Sequence, residues 1–79
     1  MSDIEIQYCV PCGHLDRAMQ LQRTILEEFG QNIDRVALKT GDNGVFTVSV
    51  DGETFFDKDE DEFDEDAIVD GIRSRAVTA

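Results

Sequence analysis

An α/β fold follows from three features of this 79-residue sequence: a two-layer sandwich with a four-stranded mixed sheet, in the order β-α-β-β-β-α. The apolar period starts at two, takes the helical value over residues 11–29, and returns to two. Asp51-Gly52, between two short apolar runs, is a hairpin signal. An acidic segment, 57–62, then leads into a second helical pattern.

The first strand spans about residues 3–9, where Ile4, Ile6 and Tyr8 alternate with Glu5 and Gln7. Such alternation suits a strand with one buried face. From about 11 to 29, Leu15, Ala18, Met19, Ile25, Leu26 and Phe29 recur at helical spacing and predict the buried stripe of a long helix. Pro11 is tolerated in a first turn, where no intrahelical N–H bond is lost. Gly30 occupies the position favoured for a left-handed cap. The second strand covers about 33–39, with Ile33, Val36 and Leu38 apolar. Thr40-Gly41-Asp42-Asn43-Gly44 is rich in turn formers. The third strand, about 45–50, sets Phe46, Val48 and Val50 against Thr47 and Ser49. The fourth, about 53–56, ends in Phe55-Phe56. Asp64 predicts the N-cap of a helix over 65–76, with Phe63 and Ile68 at staple positions. Ala67, Ile68, Ile72 and Ala76 form its expected stripe.

No linker or repeat interrupts this order, so residues 1–79 read as one domain. The long helix between the first two strands implies a right-handed parallel crossover. The hairpin makes the last two strands antiparallel.

The chemistry is carried by Cys9-Val10-Pro11-Cys12, the sequence's two cysteines. The predicted elements set Cys9 at a strand end and Cys12 in the first helical turn. Free N–H groups and the positive end of the helix dipole stabilise a thiolate there. Two sulfurs at this spacing can close a small ring, as in a dithiol that cycles between redox states. A ring this short cross-links a fold weakly, because entropic stabilisation grows with loop length. Cys9 and Cys12 are therefore the candidate catalytic residues of a thiol–disulfide redox protein in a reducing cytoplasm. With this site, the α/β sandwich is of thioredoxin-like type.

His14 reads as a solvent-exposed helical residue rather than a base for a thiol. Arg17, one turn on, adds positive potential near the site. Tyr8 packs beside the site or lies on the sheet surface. Structural zinc wants four ligands, and Cys9, Cys12 and His14 offer three. A zinc-bridged dimer through the CxxC pair is thus a weaker alternative, after a non-enzymatic redox-sensing or protein-interaction module. The expected metal and cofactor requirement is none.

These residues resemble the selenoprotein W-like, or Rdx, group of small thioredoxin-like proteins. The likeness rests on Tyr8-Cys9-x-x-Cys12-Gly13 and on a long helix ending Leu26-Glu27-Glu28-Phe29. Gly44-Val45-Phe46-Thr47-Val48-Ser49-Val50-Asp51-Gly52 looks like the group's "G-x-F-x-V-x-V-x-G" strand and turn. The resemblance implies a thioredoxin-like fold and a redox role at the CxxC. Cys9 matches the group's first cysteine, and Cys12 the position that is selenocysteine in some members. Thioredoxin logic makes Cys9 the attacker, as the N-terminal and more exposed sulfur; the selenocysteine position argues for Cys12. Pro11 is the sole proline, so the cis-proline that faces the thioredoxin site has no counterpart, and Gly44 stands about where it is expected.

Asp and Glu number 18 against 7 Lys and Arg, a net charge of −11. Such a surface repels nucleic acid and anionic membranes, which exclude themselves as partners. Protein or low-molecular-weight thiols and disulfides are the expected substrates. The acid excess, with Lys39 and Lys58 the sole lysines, points to salt-rich cytoplasm such as that of halophilic archaea. The acidic stretch 57–66 lacks the central glycine and ligand spacing of an EF-hand and reads as a solvated loop. Met1–Glu5 lacks a signal-peptide pattern, no apolar run spans a membrane, and Ala76-Val77-Thr78-Ala79 is not the tail of a ubiquitin-like modifier.

Overall fold

The computed structural model describes residues 3–76, and the side chains of 3–75. The expected order of elements is present: β1 (Asp3–Cys9), α1 (Leu15–Phe29), a 3-10 turn (Gly30–Asn32), β2 (Arg35–Gly41), β3 (Phe46–Val50), β4 (Glu53–Asp57) and α2 (Glu65–Ala76). The strands form one mixed sheet in the order β2-β1-β3-β4. β1 runs parallel to β2 and antiparallel to β3, and β3 is antiparallel to β4.

The pleat decides which face is buried. Ile4, Ile6 and Tyr8 pair with Val36, Leu38 and Thr40 on one side and with Val50, Val48 and Phe46 on the other. All of these but Thr40 pack with Ala18, Leu21, Ile25 and Phe29 of α1 and with Ile68, Val69 and Ile72 of α2 in one core, Leu38 at its margin. Tyr8 is therefore a core residue. Thr24 Oγ1 donates to Glu65 Oε1 (2.9 Å), and Arg73 pairs with Glu28, tying the helices together.

Three expectations about these elements need correction. α1 begins at Leu15, not near Pro11, because Gly13 takes a φ of +77° and interrupts any helical path. The buried stripe of α1 is Ala18, Leu21, Ile25 and Phe29, whereas Leu15, Met19 and Leu26 are exposed. The two stripes are adjacent on the helix, and the sheet covers the one that contains the small Ala18. In α2, Val69 is buried and Ala67 exposed; Ala76 lies outside the described side chains.

Other details hold. Asp51 and Gly52 have φ of +52° and +87°, as a type I′ hairpin requires. Asp64 caps α2, its Oδ1 accepting from the N–H groups of Asp66 (3.1 Å) and Ala67 (3.3 Å). Gly30 has the expected positive φ, +52°, but its ψ of −118° departs from the left-handed helical region. The 3-10 turn that follows delays β2 to Arg35. A bulge between Val48 and Ser49 sets Phe55 outside the ladder. Phe55 then packs against Gly71 of α2, where a Cβ would come within 2.6 Å of the ring.

Candidate redox site

β1 delivers Cys9 to the end of the sheet, in register with Gly41 of β2. Gly41 is a close-approach glycine: a Cβ there would lie 2.7 Å from Val45 Cγ1 and 3.0 Å from Gln7 Nε2. The Val10 N–H donates to the Gly41 carbonyl (3.1 Å), which holds the chain as it leaves the strand. Residues Val10–Gly13 then form a turn in which the Gly13 N–H donates to the Val10 carbonyl (3.3 Å). The His14 N–H reaches back to the Cys9 carbonyl (3.4 Å), and the His14 carbonyl accepts the first helical bond from Ala18 (3.0 Å). The turn brings Cys9 and Cys12 into a disulfide with Cα atoms 5.3 Å apart.

The two sulfurs live in different surroundings. Cys9 has no exposed surface, at the end of a central strand of the sheet. Cys12 is exposed, as are Pro11 and Gly13, and Val10 is 51% exposed. The expected order of exposure is thus reversed. A helix starting near Pro11 would hold Cys12 in its first turn; Gly13, at φ +77°, instead leaves Cys12 in a turn ahead of α1. Cys12 still precedes the helix N-terminus, and His14, the N-cap, makes no side-chain capping bond.

His14 is half-buried, not a free helical residue. Its ring meets the edge of Phe46 at 6.0 Å between centroids. Phe46 also contacts Phe56 (6.4 Å) and Phe63 (5.5 Å), and the Arg17 guanidinium lies 4.7 Å over the Phe63 ring. Phe46 and Phe63 were legible as core and staple residues. Their role as a bridge between the redox turn and the 58–64 loop had no sequence signal, because it depends on which strand ends meet.

Three connections converge here. β1 and β2 end at this edge, β3 begins at it, and β4 ends at it, as the pairs Cys9–Gly41, Tyr8–Phe46 and Thr47–Asp57 record. The redox turn is therefore flanked by the β2–β3 turn, with Gly44 at φ +76°, and by the acidic β4–α2 loop. In that loop the N–H groups of Glu60 (2.9 Å) and Asp61 (2.8 Å) donate to the Asp57 carbonyl. Among the described residues, no group of three or more His, Cys, Asp or Glu side chains is arranged to hold a metal ion. No helix among them is long and apolar enough to cross a membrane.

Comparison with known proteins agrees with this architecture. A comparison with curated proteins gives no match. Among solved structures, the chain is similar to a crystal structure of a Bordetella parapertussis protein, with 31% identity and a TM-score of 0.86. That match covers 92% of this chain and 95% of the other. It is also similar to the selenoprotein W-related protein from Vibrio cholerae, with 24% identity and a TM-score of 0.85. There the match covers 92% of this chain and 94% of the other, a likeness that bears on the fold alone. The sequence matches the profile of the Rdx family over residues 3–74. With a thioredoxin-like sandwich and a CxxC pair at disulfide distance, the chain belongs to the Rdx family.

Proposed function

We propose that this chain is a small thiol–disulfide redox protein in which Cys12 attacks and Cys9 resolves. The observation that carries the reading is the difference in exposure between the two sulfurs. A thiolate must reach the substrate disulfide, so the accessible Cys12 is the one able to start exchange. The Cys12 thiolate displaces one sulfur of the substrate as a thiolate and forms a mixed disulfide. The Cys9 thiol, having lost its proton, then attacks Cys12 Sγ and releases the second substrate sulfur. Two electrons pass to the substrate, and the Cys9–Cys12 disulfide remains. Burial suits Cys9 for that second step, because it meets Cys12 and excludes outside thiols. The substrates are protein or low-molecular-weight disulfides, and the working compartment is a reducing, salt-rich cytoplasm.

Single-cysteine variants test the assignment. Cys9→Ser should accumulate mixed disulfides through Cys12, and Cys12→Ser should form none. The opposite asymmetry would return the attack to Cys9. Two thiols that stay alkylatable after mild oxidation would end the redox reading.

A further inference from the structure

Among the described residues, the exposed large apolar side chains are Val10 in the redox turn and Leu15, Met19 and Leu26 on α1. The three on α1 do not serve the core. Thr24 and Glu28 reach toward α2, and Gln22 Nε2 donates to the Val36 carbonyl of β2 (2.7 Å). At 3.6 residues per turn, Leu15, Met19 and Leu26 share the side of α1 away from α2. That side borders β2, an edge strand of the sheet. No described element covers it, as exposures of 44%, 51% and 44% record.

Leu15, Met19, Gln22 and Leu26 are spaced four, three and four apart, the seam of a two-helix coiled coil. In such a seam each side-chain knob enters a hole made by four residues of the facing helix. One such hole is present. Met19, Gln22, Arg23 and Leu26, at i, i+3, i+4 and i+7, line a shallow open depression, and the Gln22 side chain is drawn aside toward β2.

The charges beside the seam indicate what fills it. Asp16 and Arg23 flank the stripe on the same side, seven residues apart. Asp16 enters no ion pair among the described residues, and Arg23 meets Glu27 through Nε (3.5 Å). In an antiparallel pair of α1 helices, Leu15 faces Leu26 of a second copy and Met19 faces its Gln22. The same register sets Asp16 beside Arg23 of the second copy, and Arg23 beside its Asp16. The surface is complementary to itself in shape and in charge, as a two-fold interface requires.

We infer that α1 is a self-association surface, through which two copies of this chain pair antiparallel about a two-fold axis. Met19 of each copy fills the depression of the other. The 15 residues of α1 span about 22 Å. That is a short seam against a standard interface of about 800 Å² per partner, so the dimer is weak and reversible. The two redox turns lie at opposite ends of the seam, too far apart for a disulfide between copies.

Sedimentation equilibrium of the full chain, with dithiothreitol and molar KCl, makes the test. At that salt the repulsion between two copies of charge −11 is screened to about 3 Å, while groups in direct contact still interact. A monomer–dimer equilibrium is expected. Met19→Glu should weaken it by about tenfold or more, because a carboxylate would enter the facing hole. Met19 is exposed, so this variant should melt as the parent does by circular dichroism. Asp16→Arg and Arg23→Asp should each weaken self-association severalfold. Mixed one to one, these two variants should pair about as tightly as the parent, since the mixed dimer restores both ion pairs. A chain that stays monomeric up to about millimolar concentration overturns the inference and leaves the stripe to a different protein. A dimer unmoved by Met19→Glu overturns it too, as does a mixture that associates no better than its separate variants.

Discussion

The two ends of the sheet solve the same problem in opposite ways. At the hairpin end, turn chemistry is resolved locally. Asp51 and Gly52 adopt the positive φ angles their types favour, and Asp51 exchanges two hydrogen bonds with the Asp3 backbone, each 2.9 Å. Arg35 closes the arrangement on Asp3 (2.9 Å). At the redox end, a glycine breaks the helix early, a reactive sulfur is left exposed, and a dense acidic loop is held in place by a phenylalanine. Local rules give way where chemistry needs access.

The largest expected contrast lies in the core beneath each end. Phe46 is almost fully buried and touches His14, Phe56 and Phe63. Phe46→Ala should cost about 3–5 kcal/mol, a large share of the stability of so small a domain. Val50→Ala, at the hairpin end of the same strand, removes two methyl groups and should cost roughly half as much. Urea denaturation of both variants checks the order. Equal losses would mean that the aromatic bridge adds nothing beyond ordinary burial.

Glycine substitutions sharpen the contrast, because the same change meets different physics at each end. Gly41→Ala forces a methyl group against Val45 and Gln7 beside the Cys9 register, and should cost about 1–3 kcal/mol by overpacking. Gly52→Ala has open space around it but a φ of +87°, so its cost of about 1–2 kcal/mol is backbone strain. Trimming a neighbour separates the two: Val45→Ala should rescue Gly41→Ala, and no side-chain change should rescue Gly52→Ala. Failure of the first rescue would remove the close-approach account.

Legibility in the sequence followed the same division. The hairpin, the Asp64 cap, the strand alternation and the position of Cys9 at a strand end were readable, because each depends on neighbours in the chain. The exposure of Cys12 was not, since it follows from one glycine dihedral rather than from an apolar pattern. Nor was the choice between the Met19 and Leu21 faces of α1. Both faces are apolar, and the sheet's position selects one. The aromatic bridge from His14 to Phe63 depends on strand order and could not be read from spacing.

A smaller effect concerns charge alone. The net charge of −11 should make the melting temperature rise with KCl as repulsion is screened. The comparison of ends locates part of that response. Neutralising Glu60, Asp61 and Glu62 should raise the melting temperature at low salt and flatten its rise with KCl. A melting temperature independent of salt in the parent chain would remove the inference of adaptation to salt.

The smallest effect belongs to the hairpin end, where Arg35 pairs with Asp3. Asp3 accepts a hydrogen bond from Arg35 and lies close in charge, and both raise the guanidinium pKa above its usual value. A cation raised in this way contributes its full stabilisation below the unfolded pKa and loses it only as pH rises through the folded one. Both values lie in strong alkali, so the pair adds no pH dependence in the neutral range. Both partners are also largely open to solvent, where side-chain entropy and screening offset most of the attraction. Arg35→Gln should therefore leave the urea midpoint unchanged at neutral pH, at low and high salt alike. A clear loss that disappears in molar KCl would show that this exposed pair carries real stability. The hairpin end would then depend on charge as the redox end does.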